Sequence, residues 1–457
     1  MAKIVIIGAG SGFGSHLSLD IMAREALQDS TICLCDINPG RLQQVSRYVQ
    51  ATAEHYNLPT KIIATTNRLE VLPDADFVIL SISAGGGAYW GHPYKSEIEI
   101  PRKYGIEQAV GDTISPGGVF RFLRTAPIQH QIFRDMERLC PNALALNHTN
   151  PMAMLIWMHS VTSSIRNVGL CHGVQGTAAV MAKLAGVSVD EVSHLCVGIN
   201  HLAWFLEFKK GNEDLYPRVR DGIERSRQGE EIFPRDSWVN PATRDSIRAE
   251  ILEQFGYFST ESSLHNSEYL PYFRRSVEQM AEYHLTPREV EEVPRERPWM
   301  KDMGEVSDEK APHGELKKTR EFTAWIIESV VTDVPYRFNG NVMNHGLIPN
   351  LPEGCCVEVP CLTYGRGVFP CHVGPLPAHL AALCRTNVAV QELAVQAFIN
   401  RDRESAFHAC ALDPLTAALL PLKKIRQMFD EMWEAEGGLL AYFQPGFKGN
   451  MPEVCAD

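Results

Sequence analysis

The 457 residues contain no uninterrupted apolar stretch near the ~18 residues that a membrane span requires, so no membrane partner is expected. They also lack a basic block: 43 Lys and Arg stand against 55 Asp and Glu, and the net charge of −12 disfavours nucleic acid, which needs a concentrated cationic surface. No internal repeat and no low-complexity tract is present. The first residues, Met1-Ala-Lys-Ile-Val-Ile-Ile-Gly8, run straight into glycines and lack the charged, apolar and small-residue series of a secretory signal, which points to a cytoplasmic protein. The twelve cysteines show no spaced framework. Several fall in apolar runs (Cys33, Cys35, Cys196, Cys361) and two are adjacent (Cys355, Cys356), so they are expected to be free thiols in a reducing compartment.

Apolar side chain is plentiful, at 45% of the residues, and its pattern is that of an α/β fold. Residues 4–7 and 31–36 are short β-branched or apolar runs. A helical pattern over 41–55 follows, then strand-like segments at 61–64, 76–83, 142–147 and 167–170. Fully apolar strands alternating with helices demand a parallel sheet covered on both faces. The sequence therefore predicts a doubly wound, Rossmann-like domain over residues 1–168. Beyond it, mixed strands and longer helices suggest an α+β domain over 169–457 that carries substrate and metal groups and oligomer contacts. Residues 287–321, charged and punctuated by proline, read as a solvated excursion or helix rather than a core element.

The first strand ends in Gly8-Ala-Gly10-Ser11-Gly12-Phe13-Gly14, and a helical pattern follows. Glycines there let the backbone approach a pyrophosphate at a helix N-terminus. Asp36, at the end of the second strand, is placed to accept hydrogen bonds from an adenosine ribose, which favours NAD+ over its 2′-phosphorylated form. Phe13 stands where the usual third glycine falls. A tight turn without cofactor is the plainer alternative.

Four polar segments lie where strands give way to loops: Gly111-Asp112-Thr-Ile-Ser-Pro-Gly-Gly118, Asn147-His-Thr-Asn150-Pro151, Gly169-Leu-Cys171-His172-Gly173-Val174 and Gly198-Ile-Asn-His201. Cys171, His172 and His201 offer thiolate and imidazole groups of the kind that hold divalent metals, although a lone cysteine or histidine is more often packing.

These segments together, with Phe120-Arg-Phe-Leu-Arg-Thr125, resemble glycoside hydrolase family 4 over nearly the whole chain. The likeness is strongest to its α-galactosidase (melibiase) branch, through Gly256-Tyr-Phe-Ser-Thr-Glu-Ser-Ser263, His265, Glu268-Tyr269, Asn350 to Glu358, and Leu376 to Leu380 with Thr386-Asn387. The resemblance implies a two-lobed fold on the lactate/malate dehydrogenase plan, NAD+ and Mn2+ as cofactors, and a homodimer or homotetramer. It also implies hydrolysis of small glycosides by redox elimination, outside the two-carboxylate mechanism. In that scheme C3 is oxidised, the C2 proton is removed, the C1 substituent leaves, water adds and C3 is reduced again.

By the same resemblance Cys171 and His201 match metal ligands, Asn150 a contact to sugar hydroxyls, and His172 the acid that assists the leaving group. The C2 base falls in the segment 260–269: Glu261 is preferred, with His265 and Tyr269 in reserve. Asp112 orients metal or substrate, or caps a helix. Thiolate plus imidazole is a soft pair that by affinity alone suits zinc, iron, cobalt or nickel, whereas the family works with Mn2+.

The sugar is open between galactose, glucose and a uronic acid. Gly173 stands where α-galactosidases of the family commonly carry serine, and glycine there accompanies uronic-acid substrates. Arg121, Arg124, Arg244 and Arg248 are the candidates to pair a carboxylate. An NAD-dependent hydroxy-acid dehydrogenase and a non-catalytic NAD-binding protein are the readings from other classes.

Overall fold

The structure is a computed structural model that describes residues 1–85, 90–291, 301–307, 310–444 and 446–447. Its frame is a 12-stranded mixed sheet. Strands β1 (Lys3–Ile7), β2 (Thr31–Cys35), β3 (Lys61–Thr65), β4 (Phe77–Leu80), β5 (Leu144–Asn147) and β6 (Arg166–Gly169) pair in parallel in the order β3-β2-β1-β4-β5-β6. Both faces are covered, and the two-residue period of a strand shows it. Ile4 and Ile6 of β1 join one core with Ile32, Ile79 and Leu146, while Val5 and Ile7 join another with Cys33, Val78 and Ala145. The expected doubly wound sheet is present, and the helix Pro39–His55 covers the predicted 41–55, its start capped by Asn38.

The sheet does not stop at β6. It continues through β10 (Tyr336–Met343) and β11 (Cys356–Tyr364) to the hairpin of β7 (Ser193–Ile199) and β8 (Leu202–Lys210), with β9 (Glu213–Asp214) at the edge and β12 (Gly367–Pro370) against β11. These pairings are antiparallel, and the junctions are short: Asn341 opposite Gly169 joins β10 to β6, and Glu358 opposite Gly198 joins β11 to β7. One continuous sheet thus carries the carboxyl ends of the parallel strands and the β7–β8 turn to the same region.

The helix Ser115–Leu139, buried along most of its length, leads from the segment 111–114 to β5. The helix Ala378–Asn400 closes the far side, and its Asn387 Nδ2 donates to the Tyr269 carbonyl at 3.1 Å.

The segment 287–321 departs from expectation in part. Residues 292–300 and 308–309 lie outside those described; at the end of the segment Glu315, Lys317, Lys318 and Arg320 are exposed as expected, but two points are anchored to the body. Gly314 sits in the groove between Leu19 and Tyr48, where a Cβ would meet them at 2.2–2.4 Å. Thr319 donates to buried Asp20 through both its N–H (3.1 Å) and its hydroxyl (2.6 Å). Asp20 is itself paired with Arg24 in the interior, so the segment is tied to the body through a polar residue, Thr319, and not through its charges. The eleven described cysteines are free, all but Cys371 buried, and no helix among the described residues is long and apolar enough to cross a membrane.

Candidate active site

The glycine loop follows β1. Gly8 has φ +88, and a Cβ on it would lie 2.4 Å from the Ser81 carbonyl oxygen. Gly10 donates its N–H to Asp36 Oδ2 at 2.7 Å, and a Cβ there would press on that carboxyl group at 2.9 Å. Ser11 hydroxyl donates back to the Gly8 carbonyl, and the helix Gly12–Met22 begins at once with no side-chain cap; the Gly14 N–H turns back to the Ser11 carbonyl at 3.0 Å. The packing role of the third glycine is met one residue later than the fingerprint places it. At Gly14, not Phe13, a Cβ would overlap the Ala9 carbonyl at 1.8 Å, so Gly14 is what lets helix and loop touch. Phe13 instead lies 4.9 Å from the ring of His148, between the loop and the polar cluster.

The cluster draws on three connections. Cys171 lies just beyond β6, and the N–H of Gly173, which opens the helix Gly173–Ala185, points at its sulfur from 3.4 Å. His201 is the second residue of the two-residue turn between β7 and β8, with left-handed backbone at φ +62. Glu261, in the loop before the helix Ser263–Tyr269, is left-handed too, at φ +72. Such conformations cost roughly 1–3 kcal/mol apiece for a residue with a side chain. Both are held by one residue: Asn266 Nδ2 donates to the His201 and Thr260 carbonyls, each at 3.2 Å, while its oxygen accepts from Ser259.

These connections bring Cys171 Sγ, a His201 ring nitrogen and a Glu261 carboxylate oxygen within 4.8 Å of one another, the one such group of three metal-ligating side chains among the described residues. The sulfur is 3.2 Å and His201 Nε2 3.6 Å from Glu261 Oε1. Thr113 hydroxyl lies 3.4 Å from the other ring nitrogen of His201 and orients the imidazole. Burial alone would keep Glu261 neutral. The imidazoles of His201, His265 and His172, with the Cys171 S–H, outweigh it and hold the carboxyl at about 2. Burial, joined by the charges of Glu261 and Glu358, pushes the Cys171 thiol far up, and burial draws His201 down to about 4 despite Glu261. A buried anion beside a neutral imidazole and a thiol is a donor set suited to a divalent cation.

Around it stand the other expected residues. Asp112 accepts from Asn150 Nδ2 at 2.9 Å; burial disfavours its charge, but His265, Arg121, His201 and that hydrogen bond prevail and lower its carboxyl. The His265 ring is 4.4 Å and the Tyr269 ring 6.2 Å from that of His201. Burial raises the Tyr269 phenol well above its usual range, and a hydrogen bond with Thr113 opposes this. His172 is exposed beside the cluster. Every expected metal and proton-transfer residue is therefore in one place, at the carboxyl end of β6 and beside the glycine loop.

Family models for the family 4 glycosyl hydrolases match residues 3–187, and for their C-terminal domain residues 196–416. The chain belongs to glycosyl hydrolase family 4. It is 36% identical to an α-galactosidase of Bacillus subtilis over 97% of this chain and 100% of that one. It is 31% identical to an α-galactosidase of Rhizobium meliloti, over 96% and 89%. The fold matches a 6-phospho-α-glucosidase from gut microorganisms solved in complex with NAD and Mn2+ (TM-score 0.75, 21% identity, 95% and 98% covered). It also matches, more distantly, malate dehydrogenase from Plasmodium falciparum (TM-score 0.51, 15% identity, 90% and 100% covered). The dehydrogenase-like two-lobed architecture of this family 4 chain is thereby established.

Arg248 is not where a substrate-binding role would need it. It is 1% exposed, its Nε and Nη2 donate to the two oxygens of Asp245 at 2.7 and 2.6 Å, its Nη1 donates to Thr177 at 3.1 Å, and its plane faces Phe258. It ties the helix Ser246–Phe255 to the helix bearing Gly173. Arg124 is likewise buried against Glu97 in a bidentate pair, and Arg244 stacks on Trp238.

Two acids that sequence reading left without a role also serve this family 4 site. Glu268 Oε1 accepts the N–H groups of Ala109, Val110 and Gly111 at 2.7–3.0 Å and so shapes the loop before Asp112. Glu358, on β11 opposite Gly198, is pushed up to about 8 by burial, with Glu261 adding to it. An acid in the apolar run Cys-Cys-Val-Glu-Val was the available signal. Because its folded value lies above the ordinary 4.5, the neutral form's contribution to stability is intact below about 4.5 and is lost as pH rises past about 8. Glu358→Gln should therefore gain on the wild type, by on the order of a few kcal/mol, between pH 5 and pH 8. Urea unfolding of the metal-free proteins at the two pH values measures this; a constant difference between them would contradict it.

Proposed function

We propose that this chain is an NAD+- and Mn2+-dependent α-galactosidase that hydrolyses small α-galactosides by redox elimination. The observation that carries the reading is the convergence of Cys171, His201 and Glu261 at the strand end that faces the glycine loop. Gly8, Gly10 and the N-terminus of the helix Gly12–Met22 would receive the pyrophosphate, and Asp36 the ribose hydroxyls. Cys171 and His201 would hold the divalent ion. When bound, the dinucleotide supplies reversible oxidation at C3 and the ion supplies positive charge against the anion formed at the sugar.

The chain's own residues do the rest. Asn150, fixed by Asp112, binds sugar hydroxyls. His172, exposed at the rim, donates a proton to the departing glycosidic oxygen. Glu261, the base expected from sequence, points its carboxylate at the sulfur and imidazole, so proton removal from C2 passes to Tyr269, whose hydroxyl Thr113 orients. Its raised phenol is a strong base once ionised, and ionisation depends on positive charge in the cluster.

The choice of galactose over a uronic acid rests on the arginines. Arg124, Arg244 and Arg248 are committed to Glu97, Trp238 and Asp245, and Arg121 acts on Asp112. Gly173 has a reason of its own, given below. Aryl α-galactoside, α-glucoside, α-glucuronide and α-galacturonide compared with NAD+ and Mn2+ present should rank galactoside above the uronides, by at least ~10-fold, since the four arginines expected to pair a C6 carboxylate are engaged elsewhere. During turnover in D2O, deuterium should appear at C2. Equal cleavage after complete removal of NAD+ would overturn the mechanism; preference for a uronide would overturn the substrate.

A further inference from the structure

We infer that Glu261 is a third protein ligand of the divalent ion, and that glycine at position 173 is what admits it. The inference rests on the metal-dependent reading above and deepens it. A Cβ built on Gly173 would lie 2.5 Å from Glu261 Oε1, 3.2 Å from its Cδ and 3.3 Å from its Cγ. The carboxylate therefore fills the space that any larger residue at 173 would claim. Filling that space is also what puts Oε1 against Cys171 Sγ at 3.2 Å and His201 Nε2 at 3.6 Å.

Three further observations agree. Both Glu261 and His201 are in left-handed backbone, and Asn266 ties the two turns together through the carbonyls of His201 and Thr260, so the two side chains are set relative to one another. The charges balance, because one thiolate and one carboxylate neutralise a divalent cation in a site where Cys171 and His201 are largely closed to water. The chemistry also fits: sulfur and imidazole alone form a soft pair, and a carboxylate oxygen is the hard donor that Mn2+ favours. Residues 173 and 261 are thus a matched pair. A side chain at 173 displaces the flexible end of Glu261 rather than backbone, so the exchange alters the metal site without breaking the fold.

The test is Mn2+ binding by the NAD-free, sugar-free protein, read from the electron paramagnetic resonance of free Mn2+. Glu261→Gln should weaken binding by at least ~10-fold, the cost of losing even an outer-shell partner. Gly173→Ser should weaken it to a similar degree with Glu261 intact in sequence. The double variant should bind no worse than either single one, because the serine has already removed the carboxylate. With Co2+ in place of Mn2+, thiolate charge-transfer absorption should persist in both single variants while the ligand-field bands change, locating the loss at Glu261 rather than Cys171. If Glu261→Gln binds Mn2+ within about twofold of the wild type, or if the two losses add, the assignment is overturned. Failure of the wild type to bind Mn2+ would overturn the metal-dependent function itself. Should Glu261→Gln not fold, Gly173→Ser and its cobalt spectrum decide alone.

Discussion

Cys171→Ser is expected to lower α-galactoside hydrolysis by about a thousandfold while leaving the fold intact. The metal's electrophilic help amounts to several kcal/mol, and each 1.36 kcal/mol is tenfold in rate. Of the converging ligand atoms, the sulfur sits at the N-terminus of the helix Gly173–Ala185 and receives the Gly173 N–H, an arrangement that favours its thiolate as soon as a cation offsets the burial that otherwise keeps it protonated. A serine hydroxyl in the same place is smaller and far harder to ionise, so it returns a weak neutral donor. The replacement exchanges one buried sulfur for a slightly smaller oxygen and creates no large cavity, so the unfolding transition should move little. Steady-state kinetics at saturating Mn2+ and NAD+, beside a urea melt, test both halves. Full activity in the variant would place the metal elsewhere.

Arg248→Ala should destabilise the protein by about 3–5 kcal/mol, the usual cost of removing one partner of a buried ion pair. Asp245, also 1% exposed, would keep only the Ser263 hydroxyl at 2.8 Å. The carboxylate would remain charged away from water, and the tie to Thr177 that sets the helix behind Gly173 would be lost. Replacing both members, as in Arg248→Met with Asp245→Asn, should cost less than the single truncation, because no uncompensated charge is left. Chemical denaturation of the three proteins measures this. A stable Arg248→Ala protein that had merely lost uronide cleavage would reinstate the arginine as a substrate ligand.

The residues that reading the chain placed well are those whose role is local. A strand buried on both faces must be apolar at every position, and a loop that cradles a phosphate must lack side chains, so Ile4 to Ile7 and Gly8 to Gly10 declare themselves. Arg248 illustrates the opposite case. Its letter is compatible with solvent, substrate or an ion pair, and the choice was made by Asp245 and Thr177, 3 and 71 residues away. The same holds for Thr319, whose anchoring role was not legible in an otherwise exposed stretch because its partner, Asp20, lies 299 residues upstream.

By itself the sequence determined the parallel α/β layering, the dinucleotide loop and, through gapped polar segments in order, membership of a glycosidase family. Each is encoded in neighbours along the chain, where periodicity and backbone freedom act directly. Tertiary structure decided what the cluster is. Glu261 meets Cys171 across 90 residues, and its carboxylate is set against that sulfur and the His201 imidazole. The cause is a left-handed turn, an asparagine clamp and the vacancy at Gly173, none of which has meaning until separate connections fold against one another.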